Sequence, residues 1–511
     1  MRHHTEAPIK LDRTVFFVSS AIVFIIVFFM FVYPEQTKST MNLLLHTILN
    51  DMGFVYTWAG ILAIAGCLYF SFSKYGKIKF GEPDEKPEFN NFTWAATLFT
   101  AGIAAAILYW APIEWTNYYQ EPALGVTPNT WQAAEWAQAY SFFHWGAIPW
   151  ALYSICALPI GYSYFTRKKP VLKISETCRD VIGKHADGFL GKLIDILFII
   201  AIIMGTTTEL GTATPLISAA ICTLFRVEPI PLYNYIVLGT TTAIFALAAY
   251  FGLKKGLTKL GNANYILAIV ILLFVFIAGP TVFIIKMATT STGLFFQNFL
   301  QMATWMDPVG NSGFVESWTQ FYWAWWMSYG LFMGMFIARL SRGRTIRNVL
   351  LGSIFWGSIG CGTFFWILGG FTMDLHFSGA LDVLGLIDLK GTYLCIMECL
   401  QQLPFSSLLL AAYALCGVLF LSTTFDAATT GIASISQKNL KIGDDPNRKL
   451  IIYWSIVMVL LPTAMFTLNG DFETIQTAVV VGSFPTAFIM ILQICSFLKM
   501  VKADRYFDRN K

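Results

Sequence analysis

Apolar runs of about 20 residues recur from one end of this chain to the other, the length a bilayer core demands of a helix. Twelve such runs predict helices, roughly over 15–33, 54–73, 93–113, 139–165, 193–223, 232–251, 262–285, 318–338, 348–370, 404–436, 450–468 and 474–498. The short alternating segments of a β-barrel are not what the pattern shows. The expected fold class is therefore an all-α polytopic membrane protein with 12 transmembrane helices. The outer connections near 114–138, 286–317 and 371–403 carry Trp, Phe and Leu at helical spacing, as in "GLFFQNFLQMATWM" (293–306). Such stretches predict short helices lying on the membrane surface, among lipids.

Charge orients the spans. With both termini in the cytoplasm, all but four of the 34 Lys and Arg fall on the inner side, the exceptions being Lys38, Arg226, Lys286 and Lys390. The expected location is the inner or plasma membrane, in multi-pass form. Over 511 residues the chain is 56% hydrophobic and 13% charged, with mean hydropathy +0.60, which excludes a soluble globular protein. Nine cysteines show no paired framework, and six histidines leave little material for haem or multi-metal chemistry. A net charge of +4 points to no nucleic-acid partner.

Spans three to seven and eight to twelve form two sets of five. An odd number per set gives the sets opposite orientation, as in the inverted repeats of many secondary transporters, whose sites lie near the midplane on interrupted helices. The resulting organisation is an N-terminal tail with two peripheral helices (1–92), a first repeat (93–286), an outer surface helix (287–317), a second repeat (318–498) and a short cytoplasmic tail (499–511). Span three carries small residues in "TAGIAAAILYW" (100–110), which let a helix unwind or pack closely.

Span eight reads "FYWAWWMSYGLFMGMFIARLSRGRT" (321–345), with tryptophans in its interior rather than at the interfaces where membrane Trp usually collects. On an ideal helix Trp325, Tyr329, Phe332 and Met333 share a face, with Tyr322 and Trp326 to one side and Trp323 to the other. Span four supplies "FHWGAIPWALY" (143–153), in which Pro149 can kink the helix between Trp145 and Trp150. A quaternary ammonium group suits such rings. Its methyls donate no N–H hydrogen bonds, and each ring face attracts the diffuse charge by about 0.5–2 kcal/mol. Three or four rings could hold that cation without a carboxylate. Packing between helices is the alternative explanation for any single ring.

At these residues the chain resembles the betaine/carnitine/choline transporter family over nearly its entire length. "FYWAWW", "ARLSRGRT" and "FHWGAIPWALY" carry the resemblance, with "GLKKGLTKLGNAN" (252–264) and "IQTAVVVGSFP" (475–485) in support. "AAAILYWAPIEW" (104–115) leans toward the carnitine/γ-butyrobetaine antiporter branch. The resemblance implies a sodium-coupled-leucine-transporter-like fold, a homotrimer, and alternating-access transport of trimethylammonium zwitterions such as carnitine, γ-butyrobetaine or glycine betaine. Sodium- or proton-coupled symport of betaine- or choline-type osmolytes is the alternative it leaves open. By position it implies a cage of Trp145, Trp150, Trp323, Trp325 and Trp326, with Tyr329 and Met333 further along span eight. A cage tyrosine of the antiporter branch falls on Asn117.

The same resemblance leaves the coupling ion divided. The antiporter branch's span-seven arginine is Asn264 here, which supplies no charge, whereas "STTFDAAT" (422–429) places Thr423 and Thr424 where the sodium-coupled branch has hydroxyls. A sodium site is the one cofactor-like group implied; hard cations prefer such oxygen ligands. Against it, span three reads "GIAAA" (102–106) in place of a glycine-rich stretch, and Thr hydroxyls also bond back to their own helix.

Glu209, mid-span in "GTTTELGTATP" (205–215), is an intramembrane carboxylate that can bind a cation, carry a proton or pair structurally. Glu114 and Asp426 read as structural, and His144 as a satisfied interior histidine. Arg339, Arg342, Arg344 and Arg347 crown the inner end of span eight, where Asp195 is a candidate gate partner. No nucleophile elbow, metal spacing or repeated filter motif supports an enzyme or a channel.

Overall fold

The computed structural model describes residues 10–102, 105–169, 173–250, 254–438, 440, 444–467 and 472–509. Among them every regular element is a helix, and extended pairing is limited to the isolated bridges Leu11–Gln437 and Lys79–Thr345. The principal helices are α1 (Arg13–Val32), α2 (Pro34–His46), α3 (Phe54–Phe72), α4 (Asn91–Gly102), α5 (Ile107–Gln120), α6 (Trp131–Trp145), α7 (Ala147–Gly161) and α8 (Phe189–Phe225). They continue as α9 (Pro231–Tyr250), α10 (Lys254–Ala278), α11 (Thr281–Thr304), α12 (Phe321–Leu340), α13 (Ile346–Phe364), α14 (Ser406–Ile435), α15 (Arg448–Thr467) and α16 (Phe472–Ala503). Their starts follow local chemistry: the Thr130 and Thr345 hydroxyls accept from the amides of Ala133 and Asn348 and cap α6 and α13.

Among the described residues, seven helices are long and apolar enough to cross a membrane: Arg13–Val32, Phe54–Phe72, Phe189–Phe225, Ile346–Phe377, Ser406–Ile435, Arg448–Thr467 and Gln476–Asp508. The other expected spans take different forms. Span three is divided between α4 and α5, and span four between α6 and α7. Span six is α9, apolar over Pro231–Leu247. Span seven stops at Ala278 instead of running to 285, because Gly279 and Pro280 end the helix and the chain turns by 109° into α11. The connection expected near 286–317 is thus largely helical, and α11 buries Ile284, Ser291, Phe295 and Met302 while Phe296 and Leu300 face outward. Span eight is α12, whose tyrosines and tryptophans dilute an otherwise apolar stretch. Short helices Gly370–Phe377, Val383–Lys390 and Thr392–Gln401 occupy the outer connection expected near 371–403.

The centre of the molecule is α8, a helix of 37 residues buried on most sides between Ile194 and Cys222. All-round apolarity is what a fully enclosed helix requires. Close approach to it depends on glycine. A Cβ on Gly205 would fall 2.1 Å from Ser328 Oγ of α12. Across the other side of α12, a Cβ on Gly334 would meet Cys156 Cβ of α7 at 2.5 Å and its carbonyl carbon at 2.9 Å.

Ionic contacts tie charged ends of the helices together. Lys173 bridges Asp12 (2.7 Å) and Asp195 (3.2 Å), and Arg167 bridges Asp180 and Asp504, each at 2.7 Å. Burial pulls the Lys173 ammonium down, but the two carboxylates outweigh it and hold it above the usual lysine value. The span-eight arginines do not reach Asp195, which Lys173 and Ser175 already satisfy. Arg342 pairs with Glu85, Arg344 donates to Asn91 and the Phe89 carbonyl, and Arg347 donates to the Ser71 carbonyl.

Two glycine substitutions separate packing from propensity. Gly334→Ala is expected to cost about 1–3 kcal/mol by forcing α12 off α7. Gly293→Ala, which meets nothing within 4 Å on α11, is expected to leave stability equal or raised by up to about 1 kcal/mol. Melting midpoints of the detergent-solubilised variants check both.

Candidate functional site

The break between α6 and α7 builds one wall of the site. Gly146, at φ −97° and ψ −128°, ends α6, and a Cβ there would sit 2.6 Å from the Phe142 carbonyl oxygen. The interruption thus falls three residues before the expected kink at Pro149. The proline lies in the first turn of α7, where its missing N–H has no helical partner to lose. Trp145 is left at the end of α6, and the freed His144 carbonyl accepts from Trp326 Nε1 at 2.8 Å.

The opposite wall is α12. Trp325 and Trp326 stack at 5.3 Å with 10° between their planes, and Tyr322 stacks on Trp326 at 6.2 Å. Trp145 meets Trp326 edge to face at 4.8 Å and Trp325 at 5.8 Å. Tyr153 and Phe365 extend the cluster, 5.9 Å from Trp326 and 5.2 Å from Trp145. All of these rings are buried inside the protein rather than facing lipid.

Behind the rings lies a carboxylate. Glu114 of α5 is fully buried and accepts from Tyr322 Oη (2.6 Å), Tyr118 Oη (2.8 Å) and Trp145 Nε1 (2.9 Å). Tyr118 also lies 2.8 Å from His144 Nδ1, but its single proton is committed to Glu114. His144 Nδ1 therefore donates to Tyr118, and Nε2 accepts from Thr319 at 3.0 Å. The histidine is satisfied, as its sequence setting suggests. The expected picture of rings without an acidic group changes: the acid takes the polar edges of Trp145 and Tyr322 and fixes how those rings are turned.

A second carboxylate, Glu209 of α8, lies where Gly205 lets α12 approach. Its Oε1 accepts from the Ala105 amide at 2.9 Å, in the interval between α4 and α5, and its Oε2 accepts from Tyr329 Oη at 3.0 Å. Thr424 of α14 also hydrogen-bonds to it. Thr423 instead donates back to the Leu419 and Phe420 carbonyls. Asn264, with its amide nitrogen 3.2 Å from the Cys416 carbonyl and its oxygen 3.2 Å from the Phe420 amide, bridges two groups that a regular helix would pair with each other. From α10 it thus packs against α14 a turn before the threonines, splinting backbone rather than joining Glu209. Around Glu209 the Ala105 amide supplies a hydrogen and no lone pair, while Tyr329 and Thr424 supply hydroxyl oxygens; no cluster of three or more His, Cys, Asp or Glu occurs among the described residues. Ile103 and Ala104 of the "GIAAA" stretch lie outside those residues.

The tryptophans expected as a cage divide. Trp145, Trp325 and Trp326 come together. Trp150 packs against Gly357 of α13, where a Cβ would fall 2.0 Å from its ring, and Trp323 faces Phe143 and Gly60 of α3. Tyr329 reaches Glu209, and Met333 is buried a turn beyond it. The half-buried Asn117 side chain makes no hydrogen bond among the described residues; its neighbour Tyr118 enters the network instead. The indole N–H groups of Trp145 and Trp326 are used, whereas that of Trp325 is buried without a partner in the protein.

Sequence comparison places this geometry in context. The pattern described as BCCT, betaine/carnitine/choline family transporter, matches residues 14–506. The chain is 34% identical over 444 residues to an Escherichia coli protein named Uncharacterized transporter YeaV, covering 87% of this chain and 92% of that one. It is 30% identical over 443 residues to a protein of Acinetobacter baumannii named Carnitine transporter, covering 87% and 80%.

Replacing Glu114 by Leu is expected to strand two buried donors, Tyr322 Oη and Trp145 Nε1, each costing about 1–3 kcal/mol, while Tyr118 can turn to His144, and so to lower the melting midpoint and shift tryptophan emission. A Glu114→Leu protein that melts and emits like the parent would show that the carboxylate does not hold the rings.

Proposed function

The chain belongs to the betaine/carnitine/choline family of transporters, and we propose that it is a secondary active transporter of trimethylammonium zwitterions. Members of that family are transporters rather than enzymes, and the apolar helices make this one a multi-pass membrane protein. The proposal extends to twelve spans in a 5+5 inverted repeat (spans 3–7 and 8–12), the domain limits given above, a homotrimer, and cytoplasmic termini at the inner or plasma membrane.

The observation that carries the substrate class is the buried cluster of Trp145, Tyr322, Trp325 and Trp326 beside broken helices. Ring faces attract a methylated cation, and the unpartnered Trp325 N–H offers a donor to a substrate carboxylate. Carnitine, γ-butyrobetaine and glycine betaine carry both groups; choline lacks the second. Support for carnitine in particular comes from the name of the Acinetobacter baumannii relative. A second reading, cation-coupled symport, is favoured by Glu114 and Glu209, which have no basic partner among the described residues.

Radiolabelled carnitine, γ-butyrobetaine, glycine betaine and choline should be tested for uptake and exchange in proteoliposomes. Trp325→Ala and Trp326→Ala are each expected to weaken zwitterion binding by about 0.5–2 kcal/mol, or roughly 2–30-fold, with the proteins still folded in membranes. Unchanged affinity in both variants, or binding that ignores methylation of the nitrogen, contradicts the proposal.

A further inference from the structure

The hydrogen bonds around Glu209 contain more acceptors than protons. Tyr329 Oη has one proton and two partners within reach, Glu209 Oε2 at 3.0 Å and Thr206 Oγ1 at 3.3 Å. Thr206 donates its own proton to the Ile202 carbonyl at 2.7 Å, so its oxygen is free to accept. Two arrangements are therefore available without moving a heavy atom. In one, Tyr329 donates to the ionised carboxylate. In the other, a protonated Glu209 donates through Oε2 to Tyr329, whose hydroxyl turns to Thr206, which continues to Ile202.

We propose that Glu209 is the proton-binding site through which this transporter couples substrate movement to protons, with the Tyr329 hydroxyl switching between Glu209 and Thr206. This inference rests on the transport function proposed above. The other titratable group facing Glu209 is Tyr153 of α7; Thr424 of α14 and the Ala105 amide complete its surroundings. No lysine, arginine or histidine lies there among the described residues to neutralise the carboxylate. A buried acid without a basic partner is neutralised by taking up a proton or a cation. A proton needs only the two hydrogen-bond arrangements described above, whereas the Ala105 amide at Oε1 offers a cation no lone pair.

Coupling to substrate follows from where the partners sit. Tyr329 is one turn beyond Trp325 and Trp326 on α12, so the hydroxyl that reads Glu209 and the rings that form the candidate cage share one helix. Ala105 belongs to the interval between α4 and α5, and a charge-assisted bond from its amide weakens when Glu209 is protonated. The charge on Glu209 thus bears on α12 and on the broken span at once.

The test uses the full-length protein in proteoliposomes loaded with a pH-sensitive dye, with glycine betaine and carnitine as probes. In the parent protein, adding substrate outside is expected to acidify the lumen, and an outside-acid gradient should speed initial uptake several-fold. Substrate affinity, read from tryptophan fluorescence, should strengthen several-fold from pH 8 to pH 6. Glu209→Gln should abolish lumen acidification and flatten the affinity profile, whatever its absolute rate, and Tyr329→Phe should reduce both. Parent protein that transports substrate without moving protons, or that follows a sodium gradient instead, overturns the inference, as does proton movement persisting in Glu209→Gln. Failure of the parent to bind either probe at any pH strikes instead at the proposed function.

Discussion

Among the described residues, the buried carboxyl groups of Glu114 and Glu209 have no basic partner, and each is surrounded by hydrogen-bonding groups. A carboxylate in such a place is tolerable only when every lone pair of consequence is met. For Glu114 the donors are a tryptophan, a tyrosine from the facing helix and a tyrosine of its own helix; for Glu209 they are a backbone amide, a tyrosine and a threonine. The demand for donors therefore dictates which aromatic edges turn inward. It leaves the Trp325 N–H as the one indole donor of Trp145, Trp325 and Trp326 that the protein does not use.

Breaks in the helices make this possible. In lipid an unpaired backbone group is costly, so a broken span persists only where protein groups meet the freed positions. Here the end of α6 at Trp145 is met by Trp326 on the His144 carbonyl, and the approach to α5 by Glu209 on the Ala105 amide. Gly205 and Gly334 let α12 come close enough to α8 and α7 for those contacts to form. Small residues are the usual means of close helix approach in membranes.

Much of the fold was legible because a hydrophobic period and a span length are local properties. The turn at Gly279–Pro280 was misplaced by several residues, since an apolar run continues beyond it on a helix with a different direction. Within the site, helical geometry already set Trp323 on the opposite side from Trp326, and the structure keeps them apart. Trp145 and Trp150 could not be separated from sequence, because the break at Gly146 decides which of them faces α12. Asn117 was reached by analogy of position, whereas Tyr118 enters through a contact with Glu114 one helical turn earlier. The signal that could have found it was the intramembrane Glu114 itself, four residues before a tyrosine.

The central claim is that the rings joining α6 to α12 recognise a fully methylated nitrogen. A structure determined with saturating carnitine tests it most directly. The account predicts the trimethylammonium group within about 6 Å of the ring centres of Trp325, Trp326 or Trp145, with the carboxylate toward the Trp325 N–H. A ligand bound away from those rings, or one whose methylated nitrogen pairs with an acidic side chain while the rings remain packed on one another, would contradict it.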